Sequence, residues 1–105
     1  MITITATINT APANRDAVTA LCIEHSARSR AEPGCISHHI YADIEDPARL
    51  FYYEQWQDEA AVAEHFALPK SQEFVKRLSA LVGERPDMQI YRSGAISLEE
   101  IVLRT

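Results

Sequence analysis

The sequence predicts an α+β domain of the ferredoxin-like kind, with elements in the order β-α-β-β-α-β. Three observations predict it. The N-terminal segment alternates apolar and polar residues, two later segments carry apolar stripes at helical spacing, and two β-rich segments joined by a short turn lie between those stripes. This order segregates the helices to one face of an antiparallel sheet and leaves the other face bare. A chain of 105 residues, 47% of them hydrophobic, has enough apolar mass for one core.

Each element has a local cause. Ile2, Ile4, Ala6 and Ile8 alternate with Thr3, Thr5, Thr7 and Asn9, the period-two pattern of a strand rich in β-branched residues. From Arg15 to about Glu32, Val18, Leu21, Cys22, His25 and Ser29 fall on one helical stripe. Pro33 and Gly34 then stop that helix. A second strand is expected from about Cys35 to Asp43 and a third from Arg49 to Gln57, paired as a hairpin through the turn at Glu45–Pro47. Asp58 is a good N-cap, and Ala61, Val62, His65 and Phe66 form the stripe of the helix it opens. Pro69 interrupts that helix, and a further one carries Phe74, Val75, Leu78, Leu81 and Val82 until Gly83 and Pro86. A fourth strand follows near Met88–Ser93. The domain is expected to span residues 1–94, with 95–105 a fifth short strand or an arm reaching a partner.

The third strand is apolar or aromatic on both parities, with Leu50, Tyr52 and Trp56 on one side and Phe51 and Tyr53 on the other. A sheet solvated on one face would alternate instead, so a homodimer that covers the bare face is expected. The net charge is −5 and the ten Lys and Arg residues are scattered, which argues against nucleic acid. The N-terminus shows neither a signal-peptide pattern nor a membrane span, so a cytoplasmic protein without a membrane partner is expected. In such a compartment Cys22 and Cys35 are expected as thiols. Neither the histidines nor the cysteines have the sequence spacing that preforms a metal site, and no phosphate loop, nucleophile elbow or dinucleotide fingerprint is present. No metal or cofactor is expected.

Chemistry-bearing residues nevertheless fall on inward faces. His65 lies on the apolar stripe of its helix, and a buried imidazole needs a hydrogen-bond partner or a functional reason. Glu54 and Trp56 share one face of the third strand, so a carboxylate, an indole and an imidazole converge if that face meets the helices. His25 lies on the first helix's stripe and looks toward the same space if both helices cover one face. His38 and His39 are adjacent on a strand and point to opposite faces. The competing reading makes His65 a satisfied core histidine, Trp56 filler and His25 a surface residue.

The segments EQW at Glu54–Trp56, DEAAVAEHF at 58–66 followed by Pro69, RAEPGC at Arg30–Cys35, and DP at Asp46 and Pro47 resemble the antibiotic biosynthesis monooxygenase family, most closely its quinol monooxygenase members. The resemblance covers residues 1–94. It implies a dimeric α+β barrel, a pocket between sheet and helices in each protomer, and oxygenation with neither metal nor flavin. That family has an apolar or aromatic residue where His38 stands, which favours His38 as the inward member of its pair. A haem-degrading subgroup is similar in fold, yet its proximal histidine would fall at Val75, which disfavours haem.

The expected activity is a cofactor-independent monooxygenation of a small quinol or phenolic compound with molecular oxygen. His65 is the expected base or substrate hydrogen-bond partner, with Glu54 as orienting acceptor. Trp56 is expected to stack on the substrate ring, His25 and His38 to add polar contacts, and Tyr53 or Tyr41 to donate to a substrate oxygen. Two alternatives stand beside this. One is an isomerase of an enolisable, phosphorylated sugar or ketone, since a quorum-signal isomerase is similar around FYYE and DEAAVAEH, with Arg28 and Arg30 as the nearby cations. The other is a noncatalytic dimeric protein that binds a small molecule.

Overall fold

The structure is a computed structural model and describes residues 1–104. Its elements are β1 (Ile2–Asn9), α1 (Arg15–Ser29), β2 (Cys35–Ala42), β3 (Arg49–Trp56), α2 (Glu59–Ala67), α3 (Pro69–Val82), β4 (Asp87–Arg92) and α4 (Leu98–Arg104). The sheet runs β2-β3-β1-β4 with every neighbouring pair antiparallel. The ferredoxin-like order expected from the sequence is therefore the one observed.

Strand parity decides what faces the helices. On β3, Leu50, Tyr52, Glu54 and Trp56 are buried while Phe51 and Tyr53 are exposed. On β1, Ile2, Ile4, Ala6 and Ile8 are buried on the same side. Two apolar clusters result. One gathers Ile8, Val18, Leu21, Leu50, Tyr52 and Phe74, and the other gathers Ile2, Ile4, Trp56, Ala61 and Val62. Glu54 falls between them along β3, opposite Ile4 on one side and His38 on the other.

The helices end where side chains and proline dictate. Helix α1 stops at Ser29, short of the expected Glu32. The Ser29 hydroxyl bonds back to the His25 carbonyl at 2.7 Å, and Pro33 disfavours a helical conformation at Glu32. Asp58 caps α2 by accepting from the Ala61 amide at 2.9 Å, as its position suggested. Leu68 is extended before Pro69, which opens α3 as its first residue. The α3 stripe is only partly covered, for Phe74 and Leu78 are buried but Val75 and Leu81 are exposed.

Residues 98–104 form a helix, so the fifth strand considered for residues 95–105 does not form. Ser97 explains the outcome, since its hydroxyl accepts from the Glu100 amide at 3.1 Å and caps the first turn. Thr105, the last residue of that segment, lies outside the described residues.

Gly34 holds the start of β2 against α2. Its φ is +83°, and a Cβ there would lie 2.5 Å from the Cβ of Ala61. Its carbonyl also accepts from the Gln57 amide at 2.8 Å. The connection carrying Glu32 is thereby drawn onto the α2 side of the sheet.

Candidate active site

Three histidines meet over the inner face of the sheet. His25 comes from α1, His38 from β2 and His65 from α2, and one ring nitrogen of each lies within 4.8 Å of the others. All three are buried. The spacing that marks a metal site is absent from the sequence because the three histidines sit on different elements, whereas the helical stripes did point His25 and His65 toward one space.

Each Nδ1 is held from outside the cluster. The His65 Nδ1–H donates to Glu32 Oε1 at 2.7 Å. Arg28 Nη2 lies 3.1 Å from His25 Nδ1, and His38 Nδ1 shares a hydrogen bond with Ser26 Oγ at 2.9 Å. The Nε2 atoms are left without such partners. His38 Nε2 lies 3.2 Å from Glu54 Oε1 without meeting hydrogen-bond geometry. That carboxylate oxygen also accepts from Trp56 Nε1 at 3.0 Å.

The aromatic surroundings fix the rings. His25 stacks on Phe74, and Trp56 packs on His65 with centroids 4.6 Å apart. Tyr52 stands edge-on to both His25 and His38 while its hydroxyl donates to the Cys22 carbonyl at 2.9 Å. Burial, joined by neighbouring His38, His65 and Arg28, lowers the His25 pKa to about 2 and keeps the ring neutral. Burial likewise raises the Tyr52 phenol well above its ordinary value, so it acts as a fixed donor.

A cavity of about 860 Å³ opens onto this cluster. His25, His65, Glu54 and Tyr52 line it where it meets the cluster, Phe66, Phe74 and Met88 are among its apolar walls, and Lys76, Glu84 and Arg85 line it as well. A mostly apolar cleft with a few convergent polar groups is what a small organic ligand requires.

The structure thus brings His25, His38, His65, Glu54 and Trp56 together, with four departures from expectation, the first being that Glu32 and not Glu54 is the acceptor that orients His65, while Glu54 takes the Trp56 N–H. Tyr41 and Tyr53 lie exposed on the opposite face of the sheet, since their parity on β2 and β3 is that of His39 and Phe51. Neither reaches the cavity, and Tyr52 is the tyrosine that does. Trp56 is fully buried beneath His65 and Glu54, so it supports these residues rather than walling a substrate. His38 faces inward but is fully buried behind Glu54 and does not line the cavity. Sequence reasoning missed Glu32, Ser26 and Tyr52. The need of a buried imidazole for an acceptor was the one available pointer to a carboxylate such as Glu32.

A bound cation suits the cluster poorly. Arginine has only N–H donors, so His25 Nδ1 must accept, and the proton of the neutral ring sits on Nε2, where a metal would need a lone pair. The guanidinium charge 3.1 Å from the ring adds to the mismatch.

Residues 1–77 match the family described as Antibiotic biosynthesis monooxygenase. The chain belongs to that family. An uncharacterized protein from Synechocystis sp. is 31% identical over 91 residues, which are 87% of this chain and 62% of that protein's length. Antibiotic biosynthesis monooxygenase relatives are also found among solved structures. One from Deinococcus radiodurans, whose assignment to these monooxygenases is provisional, has a TM-score of 0.88 at 22% identity and covers 93% of this chain and 98% of its own. A Pseudomonas aeruginosa protein is 29% identical with a TM-score of 0.79, covering 90% of this chain and 94% of its own. The first likeness carries the fold alone. Among the described residues no helix is long and apolar enough to cross a membrane.

Proposed function

We propose that the protein is a monooxygenase that oxidises a small phenolic or quinol-like compound with molecular oxygen. The observation that carries the proposal is the Glu32–His65 pair, whose imidazole lines the cavity while the carboxylate holds it from behind. Glu32 holds the proton of His65 on Nδ1, which leaves Nε2 as a base directed away from the carboxylate. A hydroxyl bound there loses its proton to Nε2, and the resulting phenolate is electron-rich enough to pass an electron to oxygen. Recombination forms a carbon–oxygen bond at a ring carbon. Loss of that carbon's proton, with cleavage of the O–O bond, gives a quinone and water. The balance is phenol plus O2 to quinone plus H2O, so the substrate supplies all four electrons. The protein's part is a base, an apolar cleft and orientation.

The same reading takes the active species as a homodimer. Tyr41, Phe51, Tyr53 and Tyr91 are exposed on the sheet face away from the helices, an aromatic surface that a second copy would cover. The phosphorylated-substrate alternative is weaker. The two cations the sequence suggested for it are engaged elsewhere, Arg28 at His25 and Arg30 at the His38 carbonyl at 2.9 Å, so it would have to rely on Lys76 and Arg85, which line the cavity outside the histidine cluster.

Oxygen uptake with a panel of phenols and quinols tests the proposal. Uptake that matches quinone formation and is lost in His65→Ala supports it. A panel that binds in the cavity with no oxygen consumed overturns it in favour of a binding protein.

A further inference from the structure

We propose that Arg28 and Glu32 hold His25 and His65 in opposite tautomers, so that the two rings meet one substrate hydroxyl as donor and acceptor. The inference rests on the reading of the cavity as a phenol site and specifies which atoms recognise the phenol. It starts from the inventory of protons. A guanidinium can only donate, so Arg28 Nη2 at 3.1 Å makes His25 Nδ1 an acceptor. A neutral imidazole has one N–H, and in His25 it is therefore on Nε2. A carboxylate can only accept, so Glu32 Oε1 at 2.7 Å places the His65 proton on Nδ1 and leaves Nε2 with its lone pair.

Both rings line the cavity, with centroids 5.3 Å apart. Between rings this close, one oxygen set between the two Nε2 atoms is within reach of both at ordinary hydrogen-bond lengths of about 2.8 Å. A hydroxyl satisfies both at once, accepting from His25 Nε2–H and donating to His65 Nε2. When the substrate ionises, its O–H bond breaks and an N–H bond forms on His65. The electron pair stays on the oxygen, already against the His25 donor. The same atom thus finds its base and its oxyanion donor in place, without reorganisation. The imidazolium formed on His65 is paired with the Glu32 carboxylate.

The chemical class of ligand follows. A phenol or enol hydroxyl fits, whereas a carboxylate or phosphate oxygen has no proton for His65 Nε2 and would face its lone pair. Arg28 is a positioning residue. It does not line the cavity, and it is braced by the Lys70 carbonyl at 3.3 Å and by Glu24 at 3.4 Å.

Two-bond nitrogen-15 NMR of the histidine rings in the full chain reads the tautomers directly. His25 is expected as the Nε2–H form and His65 as the Nδ1–H form. Finding His25 as Nδ1–H, or both rings in the same form, overturns the inference. In Arg28→Met the His25 tautomer is expected to become mixed, while Arg28→Lys, which retains a donor, restores it. An unchanged His25 signature in Arg28→Met also overturns it. A simple phenol is expected to bind wild type about tenfold more tightly than its methyl ether, and Arg28→Met to lose that preference. Equal binding of phenol and ether by wild type counts against the inference, as does a stoichiometric tetrahedral spectrum on adding Co2+. These readouts need no turnover. Opposite tautomers without oxygen uptake would remove the monooxygenase chemistry and leave the hydroxyl site, whereas uptake with like tautomers would do the reverse.

Discussion

The imidazole of His25 lies flat on the ring of Phe74, with centroids 3.8 Å apart and planes 2° from parallel. Helix α3 therefore sets the tilt of a side chain carried by α1. Phe74→Leu keeps an apolar wall but removes the flat support. It is expected to cost about 1–2 kcal/mol in a urea titration and to weaken phenol binding more than that of the methyl ether. Equal weakening of both ligands would assign Phe74 to packing alone.

His65→Ala removes the proposed base while leaving most of the α2 stripe intact. The rate is expected to fall on the order of a hundredfold or more. If the ring serves structure only, the loss would appear instead as about 1–3 kcal/mol of stability. Thermal midpoint and turnover, measured side by side, separate the two. A variant that melts several degrees lower and turns over at the parental rate would assign His65 to structure.

The depressed pKa of His25 links stability to pH. Its folded value is about 2 against an ordinary 6.5, so below 6.5 the unfolded chain takes up a proton that the folded chain refuses. The stabilisation is complete above pH 6.5 and drains away as the pH falls toward 2, by at most about 1.4 kcal/mol per pH unit from this group. Urea midpoints of wild type and His25→Gln should converge on acidification. A gap that stays constant with pH would show that His25 titrates alike in both states.

Gly34→Ala combines a positive φ with a clash against Ala61. A loss of at least about 2 kcal/mol is expected. Ala61→Gly in the same chain should recover the steric part but not the conformational part, which a double-mutant cycle resolves. Additive losses would show that the two residues do not meet.

The dimer is checked by light scattering at micromolar concentration, where twice the 11.8 kDa chain mass is expected. Tyr53→Glu, placed on the exposed sheet face, should shift the mass toward the monomer. A wild-type monomer would refute the homodimer and leave the protomer fold unaffected.

Much of the fold was legible because parity and helical stripes are written locally. The alternation in β1, the Asp58 cap and the Pro69 break each needed only a few neighbouring residues. The site was legible where one element decided the facing, as for Glu54, or for His65 on its stripe. It was not legible where depth or a loop decided. Trp56 shares the face of Glu54 yet sits beneath it, and Glu32 reaches His65 only because the Gly34 turn folds across α2. Two misplacements had signals in the sequence. Tyr53 differs in parity from Glu54, so a pocket built on Glu54 already excluded it. Ser97 followed by Glu100 has the spacing of a capping box and pointed to the C-terminal helix.

The sheet order has a consequence for how the chain is made. Strand β1 is central, with Ile2 paired to Trp56 on one side and to Arg92 on the other. β1 precedes both β3 and β4 in the chain and must therefore wait for partners that leave the ribosome much later. Until then its isoleucines are exposed, and pairing so distant in sequence carries the entropic delay of long loop closure. Chaperone dependence during synthesis should thus track the delay between β1 and β3. A circular permutant that opens the chain between β1 and α1 and links residue 104 to residue 1 would make β1 after both of its partners, β3 and β4, and should fold sooner after release.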